Sequence, residues 1–165
     1  MIYITGDTHG EINRFSPAFI PYEDKLTADD ILIVCGDFGF VFYNENQYQY
    51  EYNVDEKALD ELSKKPYTIL FIDGNHENFE RLYHYPEIEK FGAPVHKIRN
   101  NIFHLERGRI YTIQNKTFFT FGGAYSIDRY MRQKNISYWE QELPKDEEYK
   151  RGVRALKKSN TRSII

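Results

Sequence analysis

Short apolar runs recur along the chain, and three of them end in the same way. Ile2-Tyr3-Ile4-Thr5 leads into Gly6-Asp7, Ile31-Leu32-Ile33-Val34-Cys35 into Gly36-Asp37, and Thr68-Ile69-Leu70-Phe71-Ile72-Asp73 into Gly74-Asn75. The runs are rich in β-branched residues and lack strict alternation, which is the pattern of strands covered on both faces. Gly followed by a short polar residue is the chemistry of a tight turn where a strand stops. Helical candidates lie between them: residues 54–65 place Leu59 and Leu62 on one face ahead of Pro66, and residues 77–83 leave the third turn. Residues 101–105, 109–113 and 117–121 read as shorter strands, with turns at Gly108 and at Gln114-Asn115-Lys116. Residues 138–158 are charged and predicted helical, with Pro144 near the start of the second part. Strand–helix alternation at this spacing predicts an α/β sandwich with ligands at the carboxyl ends of the strands. The residues after Gly6, Gly36 and Gly74 would then converge on one edge. No repeat or low-complexity linker divides residues 1–165, so a single domain is expected.

Composition narrows the class. Hydrophobic residues make up 41% and charged residues 28%, the balance of a soluble globular chain. No apolar run reaches the roughly 18 residues of a membrane span, and Met1 is followed at once by a strand rather than a leader. A cytoplasmic protein without a membrane partner is the expectation. The one cysteine, Cys35, agrees with a reducing compartment and is expected to be a small buried hydrophobe. A net charge of -3 supplies no global field toward nucleic acid or membrane. Fourteen Tyr and twelve Phe point to an aromatic-lined surface as well as an aromatic core.

The strand ends also carry the candidate chemistry. Asp7, His9, Asp37, Asn75 and His76 are all oxygen or nitrogen donors. Asp7 and His9 are close enough for one turn to aim both at one point. Carboxylate with imidazole suits first-row divalent ions better than calcium. Two ions about 3.5–4 Å apart need a bridging ligand, and Asp37 on the central strand is best placed to provide it. A hydroxide held between two such ions can attack phosphorus in line, and His76 beside a ligand suits a general acid for the leaving group.

GDTHG at 6–10, GDFG at 36–39 and GNHE at 74–77 resemble the three N-terminal signatures of the calcineurin-like metallophosphoesterase superfamily, in order and each after a hydrophobic strand. The resemblance runs from Met1 to about Tyr130. It implies a layered β-sandwich flanked by helices, of the small bacterial type. Residue by residue, it implies that Asp7 and His9 hold a first metal, that Asp37 bridges, and that Asn75 holds a second. His76 would contact the leaving group. The implied cofactors are two divalent ions, manganese foremost, with iron, zinc, nickel or magnesium as alternatives. The implied activity is hydrolysis of phosphomono- or diesters, with nucleotides and nucleic-acid ends among the candidate substrates. GGAYS at 122–126 and the following Asp128-Arg129 resemble the downstream segment of the same subgroup. Protein serine/threonine phosphatases carry Asp-Arg-Gly shortly after the second signature. Here Gly39-Phe40-Val41 stands instead, against that substrate class.

Other features divide between function and packing. Residues 38–52 mix aromatics with Asn, Gln and Glu, as a loop that stacks on a nucleobase or aryl group would, or as a connection packing its rings on the sheet. Arg129 and Arg132 are either phosphate grips or exposed charges. His84, His96 and His104 lack partners at ligand spacing and are read as surface or satisfied core histidines. The basic set Lys150, Arg151, Arg154, Lys157, Lys158 and Arg162 reads as a solvated helix face after the acids Asp146, Glu147 and Glu148. Two later histidine segments of the family have no counterpart, and residues 157–165 hold no histidine. The expectation is a domain whose C-terminal part is missing: a fragment, a prematurely ended product, or a divergent member drawing donors from a partner. It would hold fewer than two tight metals, and a catalytically inactive remnant or binding module is the alternative function.

Overall fold

The three Gly-terminated runs are adjacent parallel strands. In the computed structural model, which describes residues 1–159, β1 (Ile2–Thr5), β2 (Ile31–Cys35) and β3 (Thr68–Ile72) pair in parallel. β4 (Glu87–Lys90), β5 (Ala93–Lys97) and β6 (Ile102–Leu105) complete a six-stranded sheet of order β1-β2-β3-β6-β5-β4. β6 lies parallel to β3, whereas β5 and β4 follow antiparallel. β7 (Arg109–Ile113) and β8 (Lys116–Thr120) form a separate hairpin.

Alternate residues of the central strands enter two cores, as unbroken apolar runs require. Leu32, Val34, Ile69 and Phe71 pack with Phe15, Leu59, Leu62 and Phe79 on the helical side. Ile31, Ile33 and Leu70 pack with Tyr111, Ile113 and Phe118 of the hairpin. The expected α/β sandwich with flanking helices is the fold found. No helix among the described residues is long and apolar enough to cross a membrane.

The helix positions need correction. α1 (Gln49–Ser63) begins five residues before the expected start. Its N-terminal neighbour Tyr48 makes no side-chain cap, so the sequence carries no start signal there. α2 (Phe79–His84) starts two residues late, where Asn78 accepts the Arg81 N–H at 3.1 Å. The expected helix over 138–158 is helical only as α3 (Asp146–Lys158). Residues before it form loop with a 3₁₀ turn at Glu140–Glu142, because Pro144 keeps Leu143 extended. At the start of α3, the Lys145 N–H donates to Glu148 Oε2 at 2.7 Å.

β4 and β5 were not expected. Pro94 within β5 reads against a strand, but it pairs only with Glu89 of β4, beyond the reach of β6. The reading of Cys35 is also overturned, since it is exposed. It shares the Ile31–Ile33 face but lies at the carboxyl end of β2, where it lines a cleft with Phe119, Phe121 and Gly122. On edge strand β1, Ile4 is 56% exposed.

Candidate metal centre

Three turns at the carboxyl ends of β1, β2 and β3 build the site, and hydrogen bonds weld them together. The Asp7 N–H donates to the Gly36 carbonyl at 3.2 Å, His9 to the Asp37 carbonyl at 2.9 Å and Gly10 to the Phe38 carbonyl at 3.0 Å. Asp7, His9 and Asp37 adopt φ of 52°, 46° and 49°, the left-handed region that side-chain-bearing residues rarely occupy. Strained backbone at three donor positions places their side chains on one edge.

Asp37 sits at the junction. Its Oδ1 accepts the N–H groups of Asn75 (2.9 Å) and His76 (3.1 Å), and its Oδ2 lies 3.8 Å from His9 Nε2. Gly74 is required beneath it, because a Cβ there would fall 2.0 Å from Asp37 Oδ1. Glu77, fully buried, ties the turns from below: Oε1 accepts from Phe38 at 2.7 Å and Oε2 from Gly74 at 2.7 Å. Burial and the Asp73 carboxylate push Glu77 up to about 8, against the pull of those N–H donors. The sequence shows Glu77 only as the acid closing GNHE, not as this clamp.

Donor atoms of His9, Asp37 and His76 all lie within 4.8 Å of one another, so these three can share an ion. Asp7 falls outside that trio. Its exposed carboxylate lines an adjoining cleft with Asp37, Cys35 and Gly74. Asn75 is oriented by residues far along the chain. Its Nδ2 donates to Ser126 Oγ at 3.1 Å, and that hydroxyl donates to Glu142 Oε2 at 2.8 Å. The carbonyl oxygen of Asn75 is thereby left to accept, as a metal ligand must. The donor set fits divalent ions: imidazole, carboxylate and a neutral carbonyl oxygen.

His76 faces a cleft of about 290 Å³ with Phe42, Tyr43, Arg132 and Ser137. Phe42 stacks on its ring at 5.9 Å, and Arg132 Nη2 stands 3.5 Å from His76 Nε2. Burial pushes the His76 imidazole below its ordinary value; Asp37 opposes this, and His9 and Arg132 reinforce it. The two readings of residues 38–52 divide along the segment. Phe38 and Phe40 are core, whereas Phe42 and Tyr43 face the cleft. Asp55 of α1 holds those two in place, accepting their N–H groups at 3.1 and 3.0 Å and Arg81 Nη1 at 2.8 Å. Arg132 lines the cleft while pairing with Asp128 at 2.8 Å; Arg129 pairs with buried Glu142 at 2.8 Å.

His84 is exposed, and His96 and His104 are buried, as surface and core histidines are. Their lack of partners is corrected, because β5–β6 pairing sets His96 opposite His104. Burial and His104 push His96 down to about 4. In the basic set, Arg151 donates to the Arg107 carbonyl rather than standing free, and Arg162 lies outside the described residues.

The sandwich brings carboxylate, imidazole and amide side chains to three adjacent strand ends, a donor set that suits divalent ions. The chain belongs to the calcineurin-like phosphoesterase family, whose sequence model matches residues 1–161. Members are typically phosphoester hydrolases that use divalent metal ions. The match extends past Tyr130, where the motif resemblance stops. Neither the comparison with curated proteins nor that with solved structures gives a match.

Proposed function

We propose that this chain is a divalent-metal phosphoesterase with Asp7, His9, Asp37 and Asn75 as ligands and His76 as the proton donor to the leaving group. The observation that carries the reading is the meeting of His9, Asp37 and His76 donor atoms within 4.8 Å at the ends of separate strands. Bound ions, manganese first among them, would supply a hydroxide nucleophile near neutral pH and neutralise phosphate oxygens. The remaining work falls to side chains. Asp37, anchored by two backbone N–H groups, holds its second oxygen toward the ion site. Arg132, beside His76, is placed to take a phosphate oxygen. An anionic ester next to His76 favours its imidazolium form, which then donates a proton to the leaving alkoxide. Phe42 and Tyr43 supply ring faces for an aryl or nucleobase group, so phosphomono- or diesters with an aromatic leaving group or base are the proposed substrates.

The test is hydrolysis of an aryl phosphate and an aryl phosphodiester after exhaustive chelation and after adding back Mn²⁺. Turnover that vanishes on chelation and returns with Mn²⁺ is the expected result. Full turnover in protein confirmed free of metal would overturn the reading. Metal binding without turnover on any ester would favour a binding module.

A further inference from the structure

A second row of donors crosses the sheet away from the three turns. Glu87 of β4 pairs directly with His96 of β5, and His96 pairs with His104 of β6. Residues directly opposite in adjacent strands project from the same face, so these three stand side by side. Asp73, just past β3, continues the row: its Oδ1 lies 3.0 Å from His104 Nε2. Glu106, two residues beyond His104, brings a further carboxylate to the other end. A cavity of about 300 Å³ opens onto Glu87, His96 and Glu106.

For neutral imidazoles, the hydrogen bonds along this row set where the protons sit. Asp73 Oδ2 accepts Arg107 Nε at 2.7 Å as well as Arg107 Nη2, so Asp73 is the acceptor at its other oxygen too. A neutral His104 therefore donates from Nε2 to Asp73 and keeps a lone pair on Nδ1. His96 Nδ1 lies 3.0 Å from that lone pair and must be the donor between them. The proton of neutral His96 is thus spent on Nδ1, and its Nε2 presents a lone pair. One ring nitrogen of His96 and one carboxylate oxygen each of Glu87 and Glu106 lie within 4.8 Å of one another. Since Nδ1 is occupied, Nε2 is the nitrogen free for a ligand. The three side chains can thus offer an ion one imidazole nitrogen and two carboxylate oxygens.

We infer that Glu87, His96 and Glu106 form a second divalent-metal site, separate from the three turns, that takes a first-row ion of the zinc type. One imidazole nitrogen and two carboxylate oxygens are a donor set for zinc, cobalt, nickel or manganese rather than calcium. A carboxylate directly behind a metal-bound imidazole is its usual support, and here His104 is interposed between His96 and Asp73. His96 and Glu106 are each 8% exposed, whereas Glu87 is exposed, so the site is built on a rigid wall and open on one side. Arg109 does not block it. Its guanidinium holds Glu106 Oε2 at 2.8 Å and leaves Oε1 for an ion. Arg107 is occupied by Asp73 and Glu148.

The experiment titrates Zn²⁺ alone into full-length, chelator-stripped protein carrying His9→Ala and Asp37→Asn, which disable the turns while Asn keeps an acceptor for the Asn75 and His76 N–H groups. One Zn²⁺ per chain should still bind. Adding Glu87→Gln, an exposed change that leaves the core intact, should weaken it at least about tenfold, no less than the loss of a supporting partner costs. Nitrogen NMR of the histidine rings supplies a readout that needs no variant: His96 should carry its proton on Nδ1, and Zn²⁺ should shift Nε2. No stoichiometric Zn²⁺ in the disabled protein, unchanged affinity in Glu87→Gln, or a His96 proton on Nε2 would each overturn the assignment. None of these outcomes depends on whether the turns hydrolyse phosphate esters.

Discussion

The Asn75 side chain donates its N–H to the Ser126 hydroxyl at 3.1 Å across 51 residues of chain. Because the hydroxyl proton goes to Glu142, which is an acceptor only, Ser126 can meet Asn75 only as an acceptor. The orientation of the amide is thus decided by chemistry two residues removed from any ligand. Ser126→Ala should leave the fold intact, because Glu142 keeps Arg129 and the Ser126 N–H. It should weaken Mn²⁺ binding at the three turns by about 10–100-fold, the usual cost of losing a ligand's support. Calorimetric titration checks this, and an unchanged affinity would remove Ser126 from the site.

Asp37 and His76 should separate metal binding from proton transfer. In a Glu87→Gln background, so that only the turns are counted, Asp37→Ala should abolish bound metal. His76→Ala should keep most of it and slow turnover by about 10²–10⁴-fold, the usual contribution of a general acid. That loss should shrink for esters with good leaving groups, which need little protonation. Equal loss of metal in both variants would make His76 a ligand, consistent with its place in the His9–Asp37 trio, and not the acid.

Asp55 fixes the aromatic wall through a pair buried against Arg81, the two side chains being 7% and 11% exposed. Burial raises the Asp55 carboxyl, while the Tyr43 and Phe42 N–H groups and Arg81 pull the other way. Asp55→Ala leaves Arg81 uncompensated on that side and should cost about 3–5 kcal/mol in urea unfolding. It should also raise KM for aryl esters more than it lowers kcat, because Phe42 and Tyr43 lose their anchor while the ligands stay in place. A variant as stable as the parent would show that the Glu56 contact alone holds Arg81.

Gly74→Ala places a methyl group 2.0 Å from Asp37 Oδ1, a distance no relaxation of the methyl itself can relieve. The carboxylate must move off the Asn75 and His76 N–H groups. Destabilisation of about 1–3 kcal/mol, typical of overpacking, should accompany loss of metal at the turns. Retained metal affinity would mean that Asp37 does not depend on this contact.

What the sequence determined by itself was the local part of the protein. Apolar runs ending in Gly and a polar residue mark three adjacent parallel strands, because burial of the central two on both faces leaves no polar positions and a strand end demands turn chemistry. The same short segments carry Asp7, His9, Asp37, Asn75 and His76, so the candidate donors were visible together with the turns that hold them. Other features were invisible because their cause lies far away in the chain. Glu77 is legible only as an acid until Phe38 and Gly74 are seen donating to it. Ser126 and Glu142 acquire a role only when their loop meets Asn75. Cys35 sits in an apolar run yet stands exposed, at a strand end whose neighbouring cleft is lined by residues more than eighty positions later. His96 and His104 looked solitary because eight positions in sequence conceal direct cross-strand pairing. Tertiary structure alone decided these matters: a backbone pattern follows from neighbouring residues, whereas the partner of a buried polar group depends on which distant strand is packed beside it.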